Sequence, residues 1–140
     1  MARLFDLALW LGAAGHFSLL LVSAQVPREL GWRTELARLR PFNRKLFWTY
    51  SGYVVFTYLA FGTLTLVLHD ELVRGDKAAV AIAVFIGLYW AVRLGLDAVV
   101  FSAADWPQGL RYRLGHVALN LLFCFLTATY LGLAAWHALA

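Results

Sequence analysis

Four long stretches of the chain, about 5–26, 46–68, 78–102 and 113–138, are apolar almost without interruption. A bilayer core about 30 Å thick is crossed by roughly 20 apolar residues in a helix, so each stretch is predicted to span. Within hydrocarbon the backbone polar groups must be paired inside the protein, which favours helices for runs of this length. The expected fold is all-α: an integral membrane four-helix bundle, with 1–140 as a single four-span domain. Composition agrees. Hydrophobic residues make up 62% and charged residues 14%, against about 45–50% and about 25% in soluble domains. A soluble domain this small leaves too much surface in water to hide that apolar content.

The interruptions are short. Pro27 is expected to end span 1, and "HDELVRGDK" at 69–77 separates spans 2 and 3 with Gly75 as a helix stop. Trp106-Pro107 with Gly109 breaks the chain before span 4. Lys and Arg in short loops set orientation. Residues 28–45 carry six: Arg28, Arg33, Arg38, Arg40, Arg44 and Lys45. Residues 69–77 carry two against three acids, and 103–113 carry Arg111 and Arg113 against Asp105. The first and third loops are therefore expected in the cytoplasm and the termini outside, in a bacterial-type inner (plasma) membrane. The net charge of +4 belongs to the basic loop, and no nucleic-acid partner is expected.

The first 25 residues also have features of a cleaved signal peptide, with an early Arg3 and small residues at Val22-Ser23-Ala24. Asp6 and His16 stand against it, and cleavage would put six basic residues on the wrong side. Span 1 is read as retained. The single Cys124 allows no intrachain disulfide and is expected to be a small buried hydrophobe.

In the first loop, Trp32, Leu36 and Leu39 fall at i, i+4 and i+7 with arginines on other faces. That pattern predicts a short interfacial amphipathic helix between spans 1 and 2. Beside it, Arg38, Arg40, Asn43, Arg44 and Lys45 are candidates for contact with lipid headgroups or a partner. The plainer role is a positive-inside anchor.

Ionisable residues inside a span usually face the bundle interior or a cavity. Arg93 and Asp97 are four apart on span 3, and His116 and Asn120 are four apart on span 4, so each pair shares a helix face. Span 1 adds His16, and span 2 adds Tyr50 and Tyr53. A lone histidine on an apolar face is often a satisfied core residue, and the tyrosines equally fit an interfacial aromatic belt with Trp48 and Trp106. Counted at about 1.5 Å per residue from the basic-loop ends, Asp97, His116 and Tyr50 lie roughly 5–8 Å deep. Asn120, Arg93, Tyr53 and His16 lie roughly 10–16 Å deep on the same count. A pocket drawing on all four spans at one level is the expectation, and the plainer alternative is that these polar residues only hold the four helices together. His116 and Asp97 are the candidate catalytic pair, and His16, Tyr50, Tyr53, Arg93 and Asn120 the candidate ligand contacts. His69 and His137 are expected to be solvated at the opposite surface.

Haem b is set aside as a cofactor, because His16 and His116 differ in depth and no CxxCH motif occurs. No metal site is expected: HExxH is absent, and a lone cysteine excludes cysteine-rich zinc sites. A small exporter would place an acid within span 1, where Asp6 sits only at the edge. Two functions fit the remaining features. One is binding, with possible conversion, of a lipid-like small molecule (lipid, quinone, isoprenoid or sterol-like) at a cytoplasmic-side pocket. The other is a non-catalytic subunit of a larger membrane complex, associated with quinone or haem, with a membrane partner or a second copy. Bulk membrane lipid is a partner in either case.

Overall fold

A computed structural model describes residues 1–140 as seven helical pieces. Four are long: α1 (Ala2–Glu29), α3 (Pro41–Val67), α5 (Lys77–Val100) and α6 (Leu110–Leu139). All four are long and apolar enough to cross a membrane. Between them lie α2 (Trp32–Leu36), α4 (His69–Arg74) and a single 3-10 turn, Ala103–Asp105. The chain is an all-α bundle with a short helix between its first two spans. Only 25 of the 140 residues are buried. Large apolar side chains such as Leu21, Phe56, Phe85, Val99 and Leu121 stand on the outer surface. An apolar exterior of this extent marks a surface made for lipid or another protein, not water.

α1 lies along α3 and α5 along α6, with a smaller α1–α6 contact. Helices associate in lipid through close packing, which small residues at the crossing permit. At Gly87 of α5, an added Cβ would sit 2.6 Å from the Leu131 side chain and 3.1 Å from its backbone nitrogen on α6. Across the middle, α3 and α5 meet through aromatic rings. Trp90 stacks on Phe123 (centroids 4.8 Å apart) and on Tyr58 (5.4 Å), and meets Tyr89 edge-on.

Several boundaries differ from the sequence expectation. Pro27 does not stop α1, which continues to Glu29. In the last turn it forfeits only the bond its missing amide would have made to Ser23. α3 begins at Pro41, because proline suits a first helical position. Asn43, Arg44 and Lys45 are thus helical and not loop residues. The interfacial helix is one turn and a half, with Leu36 buried and Leu39 outside the helix and exposed. Gly75 does end α4, in the left-handed conformation (φ 82°) that glycine adopts without steric cost.

Three side chains expected at open or closed positions lie elsewhere. Cys124 is exposed on the outside of α6, not buried. His69 is buried beneath Trp10 and lies 3.3 Å from the Asp6 carboxylate. His137 donates from Nε2 to the Leu72 carbonyl (2.9 Å). These last two are not merely solvated, because α4 folds back over the bundle end and offers them partners.

Candidate functional site

The facing ends of α5 and α6 carry a polar cluster centred on Asp97. Residues four apart share a helix face, which brings His116 and Asn120 of α6 together onto one carboxylate oxygen of α5. Asp97 Oδ2 accepts from His116 Nε2 at 2.8 Å and from Asn120 Nδ2 at 3.1 Å. One turn back on α5, Arg93 Nη1 lies 3.6 Å from Oδ1. That is an ion pair but too long for a hydrogen bond. Arg93 Nη1 and Asp97 Oδ1 are both buried and have no hydrogen-bond partner. The guanidinium also lies over the Phe123 ring, 5.3 Å from its centroid.

These contacts fix the histidine's tautomer. Asp97 Oδ2 already accepts from the Asn120 amide, so the proton of the shorter bond resides on His116 Nε2. Nδ1 makes no hydrogen bond within the protein and is not sealed from its surroundings. A histidine with one nitrogen held by a carboxylate presents its other nitrogen to whatever enters beside the ring. The Asp97 side chain is 10% exposed and His116 32%, so the carboxylate lies behind the ring.

A cavity of about 460 Å³ opens on this pair, walled by Phe101, Trp106, Tyr112 and Arg113 as well as Asp97 and His116. Its size lies within the range of about 300–1,000 Å³ usual for small-molecule sites. The 101–109 segment forms one side. Trp106 lies against the His116 imidazole at 4.1 Å between centroids. The preceding turn is tied by Asp105 Oδ2, which accepts from the Ser102 amide at 2.6 Å and its hydroxyl at 2.9 Å. The amide bond, helped by the hydroxyl, holds the Asp105 carboxyl below its ordinary value. On the other flank, Glu29 at the end of α1 accepts from Arg111 and Tyr112, both at 3.1 Å.

The expected meeting of four spans at one level is not what the fold contains. His116, Asp97, Asn120 and Arg93 come together, all from the last two long helices. His16 is fully buried one layer away, among Phe61, Trp90 and Tyr130. Its Nδ1 donates to the Gly12 carbonyl (2.8 Å), and its Nε2 accepts from the Trp90 indole N–H (2.9 Å). Both ring nitrogens are occupied, so neither is free for an iron or a ligand. Tyr50 and Tyr53 are about two-thirds exposed on the outer face of α3. The rotation of α3 about its axis turns them away from Asp97. Arg38, Arg40, Asn43 and Lys45 are exposed and Arg44 partly buried, and none lines the cavity beside His116.

No three His, Cys, Asp or Glu side chains converge as a metal-ligand set. Trp90 shares the helix face of Arg93 and Asp97 by spacing, but its bond to His16, 74 positions away, had no sequence cue. Trp106 was legible as a residue beside a helix breaker and as part of an interfacial aromatic belt, not as a wall of this cavity.

No known protein family, curated protein or solved structure matches this chain.

Proposed function

We propose that the chain is a multi-pass membrane protein that binds a lipid-like small molecule, with the polar head of that molecule in the cavity beside His116. The observation that carries this reading is the pairing at His116: Asp97 occupies Nε2, while Nδ1 has no partner and the cavity opens beside the ring. The cavity walls mix Phe101, Trp106 and Tyr112 with Asp97, Ser102, Gln108, Arg113 and His116, a lining that suits the polar head of an amphiphile. The Asp97–His116 pair equips the site to move a proton to or from the bound head at Nδ1. Arg93 offsets the Asp97 charge from behind.

Mass spectrometry of amphiphiles extracted from the purified protein tests the binding. Wild-type protein is expected to carry a defined non-phospholipid amphiphile, and His116→Ala and Asp97→Asn to lose most of it while still folded. Equal content in all three proteins would refute the assignment. A non-catalytic subunit would instead retain a protein partner whatever stands at position 116.

The basic loop, with its six cations between the first two spans, supports a cytoplasmic location for this end of the bundle. In a Cys124→Ala background, Thr34→Cys should resist a membrane-impermeant thiol reagent in intact cells and react after lysis. Labelling of intact cells would reverse the orientation.

A further inference from the structure

A second hollow lies on the other side of the bundle, away from Asp97. The last turns of α1, Trp32 of α2 and the Trp48–Tyr58 stretch of α3 line about 520 Å³. Its walls are largely apolar, with Val26, Pro27, Val54 and Val55, and they run from the exposed Trp48 to the buried Tyr58. Trp32 packs edge-on against both Phe47 and Trp48, which holds the two indoles together. Gly52 lines this space without a side chain. A Cβ added there would meet nothing within 4 Å, so α3 is notched where it faces the hollow.

Next to it is a second space of about 540 Å³ with different chemistry. It shares Pro27 and Trp48 with the first, and Arg28 and Arg33 line it. Neither arginine has a carboxylate within ion-pair distance; the nearby Glu29 is engaged by Arg111 instead. An apolar slot therefore opens directly onto two uncompensated guanidinium groups, with tryptophan at the junction. Tryptophan is favoured at headgroup level, arginine holds phosphate through paired N–H donors, and basic groups there draw anionic lipid.

We propose that this paired space is a binding site for one anionic phospholipid, its acyl chain in the slot against Gly52 and its phosphate between Arg28 and Arg33. The occupant is fixed by complementarity: the slot takes hydrocarbon, the vestibule takes negative charge, and the two are contiguous. Arg38 and Arg40 stand outside both spaces, which separates a built site from a general basic surface.

The test is retention of lipid by the full-length protein in mixed micelles with equal phosphatidylglycerol and phosphatidylcholine, read by native mass spectrometry. Wild-type protein should keep one phosphatidylglycerol in preference to phosphatidylcholine. Arg28→Gln with Arg33→Gln should lower that preference by at least on the order of tenfold, as losing a charge-assisted hydrogen bond implies. Arg38→Gln with Arg40→Gln should leave it in place. Gly52→Leu should fill the slot and reduce retention of both lipids, and Gly52→Ala should fold and retain more lipid than Gly52→Leu. His116→Ala should not alter phosphatidylglycerol retention, so this result is separable from the fate of the His116 cavity. Equal losses from the two arginine pairs, or full retention by folded Gly52→Leu, would overturn the site.

Discussion

The bond between Trp90 and His16 offers a direct measurement of what a buried histidine contributes to this bundle. Both side chains are fully buried, so a group that loses its partner has no water to replace it. His16→Leu strands the Trp90 indole N–H, and an orphaned buried donor costs about 1–3 kcal/mol. It also removes the Nδ1 bond to the Gly12 carbonyl, a group that keeps its helical amide partner, so little is added. Trp90→Phe strands His16 Nε2 and loses part of the stack on Phe123 and Tyr58. Each single change should therefore cost about 2 kcal/mol, and Trp90→Phe somewhat more. The double variant removes both polar partners and leaves neither unpaired. It should be less damaged than the sum by about 1–2 kcal/mol, above the mean of about 0.6 for interhelical bonds in membranes and near their measured maximum of about 1.7. Reversible unfolding in mixed micelles with increasing dodecyl sulfate measures all four corners of the cycle. Additivity within about 0.3–0.5 kcal/mol would refute the reasoning. His16→Leu should leave the amphiphile content untouched, because His16 does not line the cavity beside His116.

Arg93→Leu and Asp97→Leu should each lower the melting temperature in detergent, and the double change should cost less than their sum. With Arg93 about one-third exposed, the coupling should be about 1 kcal/mol, well below the 3–5 kcal/mol of breaking a fully buried pair; strictly additive losses would sink the pairing. Gly87→Ala should cost about 1–3 kcal/mol by forcing α5 from α6 at Leu131, and a wild-type melt would show that the crossing is looser than described. The Asp105 carboxyl is held below its ordinary value by the Ser102 amide, so its contribution is full above the unfolded value of about 3.9 and fades as pH falls through the lower folded one. Hydrogen exchange at 102–105, corrected for intrinsic rates, should be flat from about pH 7 to 5 and rise below about 4. Asp105→Asn should remove that dependence, and equal protection at acid pH would contradict it.

The spans were legible because hydrocarbon imposes one requirement, length, that apolar runs state directly. So was the Asp97 cluster, since Arg93, Asp97, His116 and Asn120 are paired at i, i+4 and polar residues in a span turn inward. What could not be read was rotation. In a soluble helix the polar face marks the outside, but here both lipid and core favour apolar residues. Tyr50 and Tyr53 fitted an outward aromatic belt as well as they fitted a pocket, and Cys124 gave no sign that it is exposed. The role of His16 required Trp90, and no local pattern joins positions 16 and 90. His69 and His137 were misjudged for a related reason: their partners, Asp6 and the Leu72 carbonyl, come from distant segments.

The pairing of α1 with α3 and of α5 with α6 makes the molecule two helical hairpins, each closed by contacts local in sequence. Their docking needs a register, and in lipid one apolar face slides over another without a hydrophobic penalty to correct it. Two buried hydrogen bonds cross between the hairpins. Trp90 donates to His16 (2.9 Å). The Tyr130 hydroxyl donates to Thr65 Oγ1 (2.6 Å), whose own proton goes to the Phe61 carbonyl. A slip of one helical turn, about 5.4 Å, would break both at once and strand the Trp90 indole, His16 Nε2 and the Tyr130 hydroxyl in a dry interior, while Thr65 keeps its bond to the Phe61 carbonyl. They act as a two-point key for the axial offset of the halves. The Asp97–His116–Asn120 cluster lies wholly within the second hairpin, so its hydrogen bonds do not depend on that key. Docking adds the flank at Glu29, which grips Arg111 and Tyr112 only when the halves are in register.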